Sequence, residues 1–398
     1  MDLQIRRARG EEFSAVAELD GANFGFHYNE QELTDARLDL DLDRIVVAVD
    51  GARIVAVSAE LPMRMAVAGG DVPVIGLTWV SVEVTHRRRG VLRAMLEQQL
   101  REHAAEGLAA TVLRASEGGI YGRYGFGVAS HTRRTVIDRL RSRLAVPADT
   151  GRVRRLSTDA ARALLPDLYE RWRASVPGGL TRGADHWQLA LLDRDSQRNG
   201  MSGLFHLVHP DGYLSYRIKS DWGDGDPRHM CWLVDYAPVT AEAHAALWQT
   251  LLNLDLVGSI ESYQIPLEDP LPLLLTDYRR VETRHIGDGL WLRPLDVPAL
   301  LAGRNYGVEV ETVLQVYDPV LGDGRYRLRG GPDGATCERT DRTADVALGV
   351  DTLGAVALGG TRLSQHARAG RVVGSGAAIT RLDRALLADR LPFHGNNF

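Results

Sequence analysis

The sequence of 398 residues is short of several things, and each shortage removes a class of protein. Two cysteines, Cys231 and Cys337, stand far apart with no second Cys or His at zinc spacing, so neither a disulfide framework nor a zinc finger can be built. Both are expected to be buried apolar side chains in a reduced, cytoplasmic protein. A basic surplus is missing. The formal net charge is −5 and the pI about 6.2, which excludes a general nucleic-acid binder and confines any basic patch to one place. Lysine is nearly absent, Lys219 being the single one, and arginine carries the positive charge; a GC-rich genome accounts for that without any function. No window reaches the roughly 20 apolar residues of a membrane span, and the opening "MDLQIRRARGEEF" has no apolar stretch of signal length. No G-x-G-x-x-G, no P-loop and no G-x-S-x-G turn occurs. His206 and His209 lie in a strand-like run where they face opposite sides, so no metal site is expected.

What is present is alternation of helix and strand in three stretches. Residues 1–140 read as an α/β domain: "EEFSAVAELDGANF" has helical spacing, "RIVVAVDGARIVAVSAEL" is two strands about an Asp50-Gly51 turn, and "AATVLRAS" and "HTRRTVIDRL" are further strands. Pro and Gly near "RLAVPADTG" place a boundary there. Residues 141–288 repeat the theme, with the helix "TDAARALLPDLYERWRASVPGG", the hairpin "GLFHLVHPDGYLSYRIKS" and the amphipathic helix "AEAHAALWQTLLNLD". Residues 289–398 offer the strands "TVLQVYD" and "GRYRLRG", apolar helices and the polar tail "HGNNF". The apolar run "GVDTLGAVALGG" suits either a ligand cavity or plain core.

One stretch carries chemistry. "VSVEVTHRRRGVLRAML", Val80 to Leu96, is an alternating strand, an arginine cluster with a glycine, and a helix whose Val91, Leu92, Met95, Leu96 and Leu100 share one face. A helix start leaves N–H groups without partners at the positive end of its dipole, which binds anions. Arg87, Arg88, Arg89 and Gly90 add cations and a bare backbone there, so a diphosphate can approach closely. A run of arginines also suits a solvated turn. The strand before it decides, because its free peptide groups suit an extended amide ligand, and pantetheine joined to a diphosphate is one. The middle segment has no such helix start.

This stretch resembles the acyl-CoA-binding motif of the GCN5-related N-acetyltransferases, and "RASEGGIYGRYGFGVAS" resembles the enhanced-intracellular-survival family within them. "YERWRASVPGGL", "HPDGY", "DPLPLLLTD" and "DGLWLRPLDVPALLAGR" extend the likeness over nearly the whole chain. The resemblance implies a mixed α/β (α+β) architecture: two tandem acetyltransferase-like domains, the second degenerate, followed by a sterol-carrier-like α+β domain. It implies acetyl-CoA as cosubstrate, with the main chain of Val80, Ser81 and Val82 holding the acyl carbonyl and pantetheine amides. Arg88, Arg89, Gly90, Val91, Leu92 and Arg93 are the implied pyrophosphate loop, and Ser116 and Glu117 the other side of the coenzyme. Val84 stands where the family usually has proline, and a valine supplies the same extended backbone. A homohexamer acting on a small-molecule amine is also implied; from charge and apolar-run length no nucleic-acid partner and no membrane span are expected.

Acetyl transfer to an amine needs a base for the nitrogen, donors for the carbonyl oxygen and an acid for the leaving thiolate. Backbone N–H groups near Val80 and Val82 suit the oxygen. Tyr121 and Tyr124 both suit the acid, since a phenol with a pKa of about 10 stays protonated until a thiolate requires its proton; the resemblance selects Tyr121. His86 is titratable, yet it sits beside arginines that depress its pKa and suits a capping role. The resemblance offers instead the chain's own α-carboxylate, on Phe398. For the acceptor, aminoglycosides above all or other polyamines and lysine side chains, "ELDGANFGFHYNEQELTD" supplies Asp20, Glu30, Glu32 and Asp35 beside Phe24, Phe26 and Tyr28. Those acids and rings suit equally the two sides of a helix. Asn396 and Asn397 before Phe398 bring no negative charge to the pocket. The alternative class is a non-catalytic acyl-CoA or lipid carrier.

Overall fold

A computed structural model describes residues 3–223, 225–396 and 398. The strands are β1 (Leu3–Arg7), β2 (Ile45–Asp50), β3 (Arg53–Val67), β4 (Gly70–Val82), β5 (Ala110–Arg114), β6 (Gly127–Val128), β7 (His131–Asp138), β8 (Arg154–Leu156), β9 (Phe205–His209), β10 (Gly212–Lys219), β11 (His229–Pro238), β12 (Val257–Ser262), β13 (Val281–Asp288), β14 (Leu290–Pro294), β15 (Val310–Tyr317), β16 (Gly324–Gly331), β17 (Gly334–Arg339), β18 (Val346–Gly349) and β19 (Val372–Gly374). The helices are α1 (Phe13–Phe24), α2 (Glu30–Asp39), α3 (Val91–Ala105), α4 (Thr158–Arg162), α5 (Leu165–Arg173), α6 (Ala184–Ala190), α7 (Ala241–Leu252), α8 (Leu271–Leu274), α9 (Val297–Ala302), α10 (Val350–Val356), α11 (Leu363–Arg368) and α12 (Gly376–Leu386). None of the described helices is long and apolar enough to cross a membrane. Two compact units result: the described residues up to Ser130, Gly289–Pro392 and Phe398 form one, and His131–Asp288 with Phe393–Asn396 the other.

In the first unit a seven-stranded sheet runs β1-β2-β3-β4-β5-β14-β6. Period-2 alternation sets its two faces. Ile45, Val47 and Val49 pack with Phe13, Val16 and Ala17 of α1, while Val46 and Ala48 pack with Val91 and Met95 of α3. The same unit holds the five-stranded sheet β17-β16-β15-β18-β19, whose core includes α10 and α12. The run expected to be either cavity lining or core is core: a Cβ on Gly354 of α10 would lie 2.2 Å from the Leu292 carbonyl oxygen, so α10 rests directly on β14.

The second unit has the sheet β13-β7-β12-β11-β10-β9-β8. Residues of α4, α5 and α6 pack on one face with Val208, Tyr213 and Ala237, and α7 on the other with Leu214, Cys231 and Leu233. Both cysteines are free; burial pushes the Cys231 thiol up, and Cys337 up to about 12.

The strands that flank residues 140 and 288 join sheets that the alternation alone does not announce. β7 pairs with β12 and β13, so the first unit's opening segment ends at Ser130. After Asp288 the chain enters the first sheet, where β14 lies between β5 and β6. Alternation identifies a strand; it says nothing about which sheet receives it.

Beside α3 lies a buried charge cluster. Glu60 of β3 is 1% exposed and meets His103 Nε2 at 3.1 Å, Gln99 Nε2 at 2.8 Å and Arg7 Nη1 at 2.8 Å. Burial works to raise its pKa, but the hydrogen bonds and charge of its partners hold it down at about 2. A carboxyl depressed in the folded state stabilises fully above its unfolded pKa of about 4.3, and that contribution is lost as pH falls through about 2. Glu60→Gln is expected to cost about 3–5 kcal/mol at neutral pH, as for a buried pair broken on one side. It should also flatten the fall of Tm between those two pH values. Thermal melts across that range check this; a variant melting like wild type contradicts it.

Candidate active site

β4 pairs in parallel with β5 only over Val74–Leu77, against Ala110–Leu113, and runs on to Val82 with β3 alone beside it. Beyond Leu77 the two parallel strands part, leaving peptide groups on one side of residues 78–82 without a strand partner. A bulge marks the parting. Ser58 stands opposite both Trp79 and Val80, and Trp79 takes a left-handed φ of 52°. A bulky side chain there costs of order 1–3 kcal/mol, and the neighbouring rings of Phe13 and Tyr28, with centroids at 6.0 and 5.5 Å, offset it. Nothing in the alternating sequence marks Trp79 as a bulge.

The loop into α3 lies at the end of this opening. Arg88 and Gly90 have φ of 63° and 85°, and Gly90 caps α3 with no side-chain hydrogen bond. Arg87, Arg88, Arg89 and Arg93 are all exposed. Arg87 donates to the Val82 carbonyl at 3.2 Å and to Asn23 Oδ1 at 2.8 Å. Arg88 and Arg89 make no ion pair among the described residues. Val91 is buried and Leu92 half-buried, so the first turn is anchored while its N–H end stays open. In the second unit α7 begins on Thr240, whose Oγ1 accepts from Ala243 N at 3.1 Å; that helix start is closed by its own chain. His86 is held by Thr85 at 2.8 Å and Asp50 at 3.3 Å, at the base of the loop. Val84, in the position where the family usually has proline, is exposed.

Across the opening, β5 leads into exposed Ser116 and Glu117 and then to Tyr121, which is 5% exposed. Tyr121 lies in one apolar cluster with Ile75, Leu77, Leu113 and Phe126, with Val80 and Leu92 packed against it. Burial, reinforced by the Glu117 carboxylate, pushes its phenol up to about 12. Tyr124 belongs to the same cluster and burial raises its pKa as well, so burial does not separate the two.

The chain end also reaches β4. A Cβ built on Gly76 would lie 2.9 Å from Cε2 of Phe398 and 3.1 Å from its Cδ2, so the terminal ring rests against the bare backbone of Gly76, one residue before the parallel pairing ends. An isolated glycine inside a strand signals such close approach; "VIGLTW" carried that signal. Asn396 is buried, and Asn397 lies outside the described residues.

Asp20, Glu30, Glu32 and Asp35 do not share one environment. Asp20 is 3% exposed and accepts from Ser81 Oγ at 2.8 Å and Tyr28 Oη at 3.4 Å; burial raises its pKa. It falls on the inward stripe of α1 with Phe13, Val16 and Ala17, which helical spacing alone reveals. Glu32 forms the capping box of α2 with Asn29, and Asp35 is buried and accepts from Gln31 at 3.0 Å. Glu30 remains exposed in the first turn of α2. The rings are what face out: Phe24 is 51% and Phe26 43% exposed, and Phe26 meets the half-buried Tyr28 edge-on at 4.9 Å.

Comparison with known proteins accords with this geometry. Residues 4–129 match the acetyltransferase (GNAT) domain family, residues 178–294 match a second acetyltransferase (GNAT) domain family, and residues 297–395 match the sterol carrier protein domain family. The chain is 38% identical over 385 residues to the N-acetyltransferase Eis of Mycobacterium bovis, covering 93% of each. The N-acetyltransferase Eis of Mycobacterium tuberculosis gives the same identity and coverage. The crystal structure of Eis1 from Mycobacterium abscessus superposes over the whole of both chains with a TM-score of 0.90 at 32% identity. A GCN5-related N-acetyltransferase from Anabaena variabilis shares the fold at a TM-score of 0.87 and 18% identity. Two acetyltransferase domains followed by a sterol-carrier-like domain, related in sequence along nearly their whole length, define the group: the chain belongs to the Eis family of GCN5-related N-acetyltransferases.

Proposed function

We propose that the protein transfers the acetyl group of acetyl-CoA directly to an amine in a ternary complex, with Tyr121 as general acid and the α-carboxylate of Phe398 as general base. The observation that carries this is the parting of β4 from β5 beside an uncapped helix start whose Arg88 and Arg89 have no ion pair among the described residues. Those features fit a phosphorylated, amide-bearing cosubstrate: the α3 N-terminus and Arg88, Arg89 and Arg93 take the diphosphate. Val80, Ser81 and Val82 offer peptide groups to the amides and the acyl carbonyl. Ser116 and Glu117 line the far side. When bound, acetyl-CoA supplies an activated acyl thioester. Phe398 accepts the proton of the attacking ammonium or amine, the N–H groups near Val80 and Val82 donate to the carbonyl oxygen, and Tyr121 returns a proton to the sulfur as the C–S bond breaks.

The family resemblance supports an aminoglycoside, another polyamine or a lysine side chain as acceptor, and a cytoplasmic homohexamer as the active species. With Asp20 and Asp35 buried and Glu32 engaged in the α2 capping box, Phe24, Phe26 and Tyr28 are the groups left to receive it, so attraction of a polycation is weaker than an acid-lined cleft provides. Thiol release from acetyl-CoA, measured against a panel of aminoglycosides and simpler amines, tests the reading; no turnover with any amine overturns it. Arg88→Ala and Arg89→Ala are each expected to raise KM for acetyl-CoA about tenfold, from loss of one charge-assisted hydrogen bond of about 1.5 kcal/mol. Their KM should depend less steeply on ionic strength than that of wild type.

A further inference from the structure

The third segment of the chain enters the first unit's sheet through β14, and one side chain of that strand reaches the turn that carries Tyr121. Tyr121–Tyr124 form one short 3₁₀ helix, with both tyrosines buried. The last carbonyls of such a helix have no partner within it, and one left bare in an apolar interior costs as much as a lost hydrogen bond. The chain that leaves the turn takes two of them: Phe126 N–H donates to the Tyr121 carbonyl at 3.4 Å and Gly125 N–H to that of Gly122 at 3.1 Å. The Tyr124 carbonyl is taken by Arg293 of β14, whose Nε–H donates to it at 3.2 Å.

Arg293 is itself fixed. Its side chain is 0% exposed; Nη1 donates to the Pro294 carbonyl and Nη2 to Asp318 Oδ1 at 2.6 Å. Asp318 follows β15, and the same oxygen accepts from Val320 N–H at 2.9 Å and Leu321 N–H at 3.0 Å. Val320 in turn packs against the apolar cluster that holds Tyr121. The loop after β15 therefore meets the tyrosine turn by charge through Arg293 and by apolar contact through Val320. On the same side Gly125 has a φ of 89°, and a Cβ there would lie 2.6 Å from Val350 Cγ1 of α10 and 3.3 Å from Arg293 Nε, so the turn has no room to shift. A buried ion pair adds little net stability, because desolvating both charges offsets their attraction. What a guanidinium supplies is direction, since its rigid fork joins a carboxylate and a carbonyl at set angles.

We infer that Arg293, held by Asp318, is a positioning residue for Tyr121: it fixes the end of the tyrosine turn and so sets where the phenol stands against the leaving sulfur. The inference rests on the reading of Tyr121 as the general acid. It gives the sterol-carrier-like segment a part in the reaction that requires no lipid: its β15–β16 loop anchors the acid.

The test uses the full-length chain. Arg293→Lys keeps a charge beside Asp318 but lacks the fork that also serves the Tyr124 carbonyl. It is expected to lower kcat between about tenfold and about 100-fold, since misplacing a reacting group by about 1 Å costs about 10². KM for acetyl-CoA should stay at the wild-type value. In a Tyr121→Phe background the same substitution should lower kcat no further, because a group that acts only through the phenol has nothing left to position. The backbone N–H groups of Gly125 and Phe126 should exchange hydrogen faster than in wild type. Should Arg293→Lys fail to fold, Asp318→Asn, which keeps the shape and removes the charge, decides by the same readings. Wild-type kcat in a folded variant, a kcat loss that multiplies in full with that of Tyr121→Phe, or Gly125 and Phe126 as protected as in wild type overturns the inference. Tyr121→Phe alone separates the two ideas. If it turns over normally, the acid reading falls, and hydrogen exchange at Gly125 and Phe126 still reports whether Arg293 holds the turn. If it is impaired while Arg293→Lys works at the wild-type rate, only the positioning role falls.

Discussion

Removing Phe398 is expected to lower kcat by about 10²–10⁴-fold, the range lost with a positioned general base. The ring of Phe398 rests on Gly76, where β4 and β5 are about to part, so deletion takes away both a packed side chain and the carboxylate proposed as the general base. Two variants separate these contributions. Phe398→Leu keeps the carboxylate and shortens the apolar anchor, and it should retain most of kcat. One glycine added after Phe398 keeps the ring and converts the carboxylate to an amide, and it should be as impaired as the deletion. An ordinary terminal carboxylate, with a pKa of about 3.3–3.7, is ionised throughout the neutral range, so under the proposed mechanism kcat should fall only on acidification. Acetyl-CoA affinity, which the proposal assigns to the α3 loop, should be unchanged in all three chains by calorimetry. Normal turnover by the glycine-extended chain is the result that removes Phe398 from the chemistry.

The second large effect belongs to Tyr121. Tyr121→Phe is expected to lower kcat about 100-fold, near the low end of what proton transfer by a positioned acid contributes. The substitution deletes only the hydroxyl, which makes no hydrogen bond among the described residues, so Tm should hardly move and KM for acetyl-CoA should be retained. Because burial holds the phenol up at about 12, the acid stays protonated across the neutral and mildly alkaline range. The wild-type rate should therefore show no alkaline fall attributable to this group below about pH 10, two units under its pKa, where about 1% is ionised. Tyr124→Phe is the control, since that ring fills the same cluster, and it is expected to turn over near the wild-type rate. A loss in Tyr124→Phe as large as in Tyr121→Phe would reassign the acid.

How much of this could be seen in the residues follows from the range over which each feature is decided. The α3 face, the arginine–glycine start and the paired tyrosines are local: apolar spacing and dihedral preference within a few residues fix them, and the sequence states them. Asp20 is local too: helical spacing places it on the stripe of Phe13, Val16 and Ala17, whatever its charge. Gly76 carried its own signal. The bulge at Trp79 depends on the register of β3 across a hairpin, and no alternation pattern contains it. The destinations of β7 and β14 depend on which sheet edge is free when the chain arrives. Arg293 pairs with Asp318 across 25 residues and with Tyr124 across 169, distances at which one sequence offers no cue to partnership.

The docking of Phe398 has a bearing on biosynthesis. Under the proposed mechanism the group that takes the proton exists only as a free α-carboxylate, which during synthesis is still an ester to transfer RNA and accepts no proton. On that mechanism the Phe398 carboxylate becomes available only when that ester is hydrolysed.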